Sequence, residues 1–401
     1  MTWIDIPANS PFGPDNLPLG IFRRDGEQPR MGAAIGDLVI DLSAVASARP
    51  LDGSQTFAEP TLNAFLALGR PAWRATREWL LELVRDESNR DAVEPHLLPQ
   101  SSLTMELPFE VADYVDFYAS EQHATNLGRL FRPDSEPLLP NWKHLPVGYH
   151  GRAGTVVASG TDIIRPSGQR KAPTETAPTY GPSQRLDIEV ELGFVVGSPS
   201  KLGEPVSVEA FKDHVYGVVV VNDWSARDLQ AWEYVPLGPF LGKSFATSIS
   251  PWVVSLEALE DATVPLPRQE PAVLPYLASD SLANYDITFE VYWNGELVSS
   301  PPYQDMYWSP AQMLAHLSVN GASVRTGDLF ASGTVSGAEK DQRGSFIELS
   351  WGGREPIRVK GEERTFLQDG DEVTITATAT TRTGTKLGLG SVTGRILPAA
   401  S

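Results

Sequence analysis

Proline and short β-branched runs constrain this chain more than anything else in it. Its 33 prolines are spread along 401 residues, and between them stand runs such as ITFEVYW and EVTITATAT, with few stretches that hold a helical period for long. Proline removes a ladder donor and ends helices, so regular structure must come in short pieces. The expectation is an α+β chain that is mostly β. A chain of this length exceeds what one hydrophobic core usually serves, so two domains are expected, and an apolar content of 41% suffices to build both.

Residues 1–110 read as a small α+β module. GDLVIDL is a short strand, and the text from Leu62 to Asp86 is helical, with Pro71 in a first turn and TREWLLELVRDE carrying apolar residues at a 3.6 period. Pro95 and Pro99 interrupt the polar stretch that follows, which puts a boundary between about residues 100 and 115. Residues 111–401 form the strand-rich unit.

A formal net charge of −19 and a pI near 4.7 repel phosphate backbones and anionic lipid heads, so nucleic acid and membranes are excluded as expected partners. The same bias leaves carboxylates free for cations. There is no cysteine, hence no disulfide, no thiolate nucleophile and no cysteine zinc site. With no basic-then-apolar start and no long apolar run, the expected location is the cytoplasm.

Four segments carry residues able to do chemistry. YVDFYASEQHATNLGRLFR crowds Asp116, Tyr118, His123 and Arg132 together; alone, it reads first as a polar loop whose Asp caps a helix starting near Ser120 and whose His lies on that helix's surface. RLDIEVELGFVVG alternates, which predicts a strand with Asp187, Glu189 and Glu191 on one face and a buried continuation in LGFVVG. Like charges on one strand face either stay solvated or share a cation, and the buried continuation favours a hard-metal site. VYGVVVVNDWSARDLQAWEYVPLGPFLGKSFATS predicts a buried strand and then a helix opening at Asp223, with Asp223, Arg227, Gln230 and Tyr234 on one helix face.

Its GPFLGKS has the wrong glycine spacing for a phosphate loop, leaving Lys243 as an ammonium donor and Thr247 as a hydroxyl ligand. The fourth segment comprises LFASGTVSG and GSFIELSWGG, with Thr334 in a glycine-rich loop and Glu348 in a predicted strand. No G-x-S-x-G elbow, H-E-x-x-H helix or dinucleotide fingerprint is present.

Together, DFYASEQHATN, NWKHLPVGYHGRAG, LDIEVELGF, NDWSARDLQAWEYVPLGPFLGKSF, SVNGASVRTGDLFASGT and DGDEVTIT resemble the fumarylacetoacetase branch of the fumarylacetoacetate hydrolase family, over essentially the whole chain. That resemblance implies an N-terminal SH3-like module, a C-terminal mixed β-sandwich roll and a homodimer. It implies a divalent ion, usually calcium, with magnesium as the second candidate, on Asp116, Glu189, Glu191 and Asp223. It also implies His123 as proton acceptor, Glu348 as the acid that orients it, and Arg227, Gln230 and Lys243 as donors to the reacting atoms. Tyr118, Arg132, Tyr149, Gln230, Tyr234 and Thr334 match substrate contacts, and Lys243 and Thr247, with Asp223, match a second ion site. One departure is visible: the family's usual glycine before that threonine is Ala246 here.

The implied reaction is metal-dependent hydrolysis of a carbon–carbon bond in 4-fumarylacetoacetate, a small diketo acid, giving fumarate and acetoacetate at the end of tyrosine and phenylalanine breakdown. Two other readings compete: an acylpyruvate hydrolase or decarboxylase with the same carboxylates, and a calcium-stabilised binding protein with no need for His123.

Overall fold

The computed structural model describes residues 2–8, 10–172 and 174–400. Near the N-terminus, β1 (Leu19–Arg23), β2 (Arg30–Ile35), β3 (Leu38–Asp41) and β4 (Leu97–Pro99) form an antiparallel run at one edge of a 13-stranded sheet. The predicted helix between Leu62 and Asp86 is two helices, α1 (Asn63–Leu66) and α2 (Arg70–Arg85). Gly69 separates them at φ 81°, a left-handed conformation that closes one helix before the next opens. Pro71 does occupy the first turn of α2, and Trp73, Leu80, Leu83 and Val84 form its buried face.

The strands that position the site are β5 (Tyr114–Phe117), β6 (Gly148–His150), β7 (Val190–Val196), β8 (Val215–Asp223), β9 (Thr247–Ile249), β10 (Trp252–Ser255) and β11 (Leu329–Ala331). Across the sheet the order is β4-β3-β2-β1-β10-β8-β7-β11-β5-β6, with β9 paired to the end of β8. The β1–β10 pairing therefore joins strands more than 200 residues apart in sequence into one sheet. β7 and β8 are buried along their whole length, as continuous valine-rich text requires of central strands.

A second, five-stranded sheet is built around Ile287–Trp293, Glu372–Thr380 and Lys386–Leu397. Glu372–Thr380 alternates buried and half-buried residues without a break, the period-2 signature of a strand packed on one face. Three further helices matter: α3 (Glu121–Phe131), α4 (Arg227–Glu233) and α5 (Phe346–Leu349). Trp293 of the second sheet stacks on Phe346 of α5, with ring centroids 4.3 Å apart, and so presses α5 towards the first sheet. The mostly-β α+β expectation holds; among the described residues no helix is long and apolar enough to cross a membrane.

Gly333 links β11 to Thr334 at φ 76°, and a Cβ there would lie 2.2 Å from the Phe117 carbonyl oxygen. Gly333→Ala combines a strained backbone with a clash against backbone, so it should cost about 2 kcal/mol or more of stability. Chemical denaturation checks this, and an unchanged midpoint would show that the loop can move aside.

Candidate metal centre and catalytic cavity

The strand register gathers four acids from separate parts of the chain. Glu191 lies in β7 opposite Val221 of β8, and the Asp223 amide donates to the Glu189 carbonyl at 3.0 Å, so Glu189 and Asp223 end up side by side. Asp116 reaches the same point from β5, whose partner β11 also pairs with β7. Each of Asp116, Glu189, Glu191 and Asp223 offers an oxygen within 4.8 Å of the others, and all four are buried.

Four sequence expectations need correction. Asp223 does not open a helix: it is the last residue of β8, held extended by its pairing with Thr247 of β9, and α4 begins only at Arg227. Arg227 and Gln230 do share a face of α4 and bond at 3.1 Å, while Tyr234 ends the helix. Asp187 does not join Glu189 and Glu191 on one strand face. The ladder breaks between the short strand Leu186–Asp187 and β7, and Asp187 turns to accept from Arg227 Nε at 2.8 Å. Glu348 sits in helix α5, not in a strand. Ser120, not Asp116, caps α3, by accepting from the His123 amide at 3.2 Å.

Charge in this region is unbalanced. Arg227 Nη1 lies 2.7 Å from Glu189, and Lys243 Nζ bridges Glu189 and Asp223, the latter at 2.7 Å. Thr247 Oγ1 donates to the other Asp223 oxygen at 2.9 Å. Among the described residues, Asp116 Oδ1 and both Glu191 oxygens have no hydrogen-bond partner. Burial, then repulsion from neighbouring carboxylates, pushes the Asp116 and Glu191 pKa values well above the usual carboxylate range. Burial also raises Glu189, but Lys243, Arg227 and His123 outweigh it and hold that carboxyl below its ordinary value. The arrangement fits a divalent cation: oxygen donors only, orphaned and short of positive charge.

Lys243 itself is a poor metal ligand. Burial works against its charge, yet Asp223 and Glu189 more than offset this and raise its pKa, so it remains an ammonium without a free lone pair. Thr247 and Asp223 instead border a smaller cavity of about 310 Å³ on the far side of Lys243. Ala246 beside them is packed in the main core.

His123, on α3 and 3% exposed, bonds through Nδ1 to Glu348 Oε2 at 2.7 Å. Glu348 also receives Asn126 Nδ2 at 2.9 Å, Ser336 Oγ at 3.0 Å and Ser345 Oγ at 2.7 Å. Burial alone would raise its pKa; His123 and these donors bring it below the ordinary value. Glu348 is therefore a carboxylate that accepts from Nδ1 of His123, and Nε2 of the same ring faces the acid cluster, 3.9 Å from Glu189. Asn126, Ser336 and Ser345 were not singled out from sequence. Asn126 stands three residues after His123 and Ser345 three before Glu348, spacings that mark shared helix faces only once both are known to be helical.

A cavity of about 400 Å³ opens over this centre. Tyr118, Arg132, Tyr149, Gln230, Tyr234 and Thr334 all line it, as do Asp116, His123, Glu189, Arg227 and Lys243. Glu191, Asp223 and Thr247 do not, and Glu348 stands behind His123. Arg132 Nη2 is tied to the Pro137 carbonyl at 3.0 Å, while its Nε has no partner among the described residues.

Comparison with known proteins agrees over both parts of the chain. Residues 15–108 match the fumarylacetoacetase N-terminal model, and residues 113–396 match the C-terminal model of fumarylacetoacetate (FAA) hydrolase. Fumarylacetoacetase of Homo sapiens is 47% identical, covering 100% of this chain and 99% of its own length. That of Oryza sativa is 44% identical, covering 99% and 97%. In fold, the chain is similar to a fumarylacetoacetate hydrolase from Exiguobacterium antarcticum, with a TM-score of 0.58 at 18% identity, covering 95% of this chain and 99% of that one.

The raised pKa values of Asp116 and Glu191 give a signed expectation. Without a cation, the folded protein binds more protons at these groups than the unfolded chain does above about pH 4, so their contribution to stability falls as pH rises. A divalent cation binds only the deprotonated pair. The gap in melting temperature between cation-loaded and cation-free protein should widen steadily from about pH 4 upwards, measured by calorimetry. A gap that stays constant with pH would remove Asp116 and Glu191 from the ligand set.

Proposed function

The chain belongs to the fumarylacetoacetate hydrolase family, and we propose on that premise that it hydrolyses 4-fumarylacetoacetate to fumarate and acetoacetate. The observation that carries this reading is the placement, on the walls of one cavity, of a Glu348-held histidine and of Asp116 and Glu189, two members of a buried four-carboxylate group. Asp116, Glu189, Glu191 and Asp223 would hold the divalent cation, calcium or magnesium by their hard donor set. When bound, the cation supplies Lewis-acid stabilisation of negative charge on the diketo oxygens.

The chain's own groups supply the rest. His123 Nε2 takes a proton from water, whose oxygen adds to the carbonyl carbon of the fumaryl arm. Arg227, Gln230 and Lys243 line the wall where the tetrahedral oxyanion and the enolate develop, worth about 3 kcal/mol per well-placed donor. The carbon–carbon bond then breaks, its electron pair leaves on the acetoacetate carbon, and the imidazolium returns its proton there. Fumarate departs as the carboxylate. Arg132, Tyr118, Tyr149, Tyr234 and Thr334 orient the carboxylate ends and the diketone. The enzyme acts as a cytoplasmic homodimer, a reading supported by the family resemblance and by an acidic chain without cysteine.

The direct experiment follows loss of the diketone absorbance of fumarylacetoacetate with purified protein. Turnover is expected, should vanish on chelation, and should return with calcium or magnesium; full activity in cation-free protein would sink the metal assignment. His123→Ala should lower kcat by about 10² to 10⁴, the usual worth of general-base assistance, while cation affinity and melting temperature move little. Glu348→Gln should lower kcat less, because the base stays in place but loses its fixed orientation. Near wild-type kcat in His123→Ala would end the water-activation role.

A further inference from the structure

Asp187 is a buried carboxylate beside the cavity that supplies no oxygen to the acid cluster. Its Oδ1 accepts the amides of Ile188 at 2.8 Å and Phe346 at 2.7 Å. Its Oδ2 accepts the Ile347 amide at 3.0 Å and Arg227 Nε at 2.8 Å. A carboxylate offers about four lone-pair sites, and here each has a donor. Two of these donors open α5, the helix whose third residue is Glu348. Another belongs to Arg227. With Nε fixed, Arg227 Nη1 reaches Gln230 and Glu189, and Nη2 is left without a partner among the described residues, on a side chain that lines the cavity.

We infer that Asp187 is a positioning residue that ties the proton acceptor and the oxyanion donor to a single rigid carboxylate. One side of it orients the free Nη2 of Arg227; the other seats α5, and through Glu348 sets the direction of His123. Capping α5 alone does not require a charge, since asparagine caps helices as well as aspartate does. The guanidinium contact does. Asparagine at this position leaves two donors facing its NH₂ whichever way the amide is turned: Arg227 Nε and the Ile347 amide in one orientation, the Ile188 and Phe346 amides in the other. A neutral, isosteric change therefore breaks the tether without removing volume. The inference rests on the hydrolytic reading of the site.

The test uses full-length, cation-loaded enzyme carrying Asp187→Asn, Arg227→Lys and the pair of changes, with wild type assayed in parallel. Lysine keeps the charge but has no Nε donor. Asp187→Asn should lower kcat by about 10²-fold, the scale of a small misplacement of catalytic groups, with KM within about threefold. Calcium affinity by calorimetric titration should stay within about twofold, because the cluster keeps its oxygens. The doubly changed enzyme should be within about threefold of the slower single variant, since both changes cut one tether. The inference fails if Asp187→Asn keeps kcat within about threefold of wild type, or if the two losses multiply in the pair. A second measurement does not depend on any Asp187 variant folding: in Arg227→Lys, hydrogen exchange at the Phe346 and Ile347 amides should accelerate by about tenfold as Asp187 loses one anchor. Unchanged exchange there overturns the tether. A wild type that does not turn over sinks the hydrolytic reading, whereas an active wild type matched by Asp187→Asn sinks this inference alone.

Discussion

Taking a carboxylate out of water without donors or a counter-charge costs several kcal/mol, and Glu191 lies in the middle of the sheet with both oxygens unpartnered among the described residues. Asp116 adds a second orphaned oxygen close by. Lys243 and Arg227 are the cations bonded to this group, and Arg227 is shared with Asp187. The region is therefore several negative charges in excess if all its acids ionise. Protonation relieves the excess at the cost of the ligands; a divalent cation relieves it and keeps them. The stability of the sheet centre and the chemistry of the cavity thus depend on the same missing charge.

Only a rigid frame can hold acids in such an arrangement. β7 and β8 have neighbours on both sides and are buried throughout, so their register cannot slip without moving every valine to the wrong face. Asp223 is fixed further by β9 and by the Thr247 hydroxyl, and Asp116 is brought in on β5 through β11. The acids come from the sheet, whereas His123, Arg227 and Glu348 come from helices laid against it. Trp293 stacked on Phe346 shows how the second sheet contributes: it closes the far side of α5 and keeps Glu348 away from water.

Much of this could be read from the sequence because strand alternation and valine-rich text report burial directly. LGFVVG and VYGVVVVND name the central strands, and the i, i+2 carboxylates Glu189 and Glu191, one just before β7 and one in it, point to a shared charge. What misled was local continuity. Asp223 sits four residues before Arg227 and so fits a helix face, but a partner strand arriving from Thr247 holds it extended. Asp187 fits the alternation of Glu189 and Glu191, yet the ladder breaks after it and sends its side chain to α4 and α5. Glu348 stands in FIEL, text equally suited to a strand, and becomes helical because Asp187 receives the first amides of the turn. In each case a residue distant in sequence overrode a local pattern, and one sequence does not show such pairings.

The direction of the histidine follows from the same long-range bonds. Four donors converge on Glu348, with His123, Ser336 and Ser345 on Oε2 and Asn126 on Oε1, and they keep it ionised although it is fully buried. An ionised Glu348 accepts and does not donate, so His123 must present a proton at Nδ1, and this bond turns Nε2 towards the acid cluster. Nε2 points towards Glu189, an acid already engaged by Arg227 and Lys243. Glu189 thereby links the other three acids of the cluster to Arg227, Lys243 and His123. Arg227 and Lys243 are thus held by the same carboxylate that would help hold a cation, and a cation there would share the negative charge that now holds these two donors, so the cluster and the donors would respond to it together.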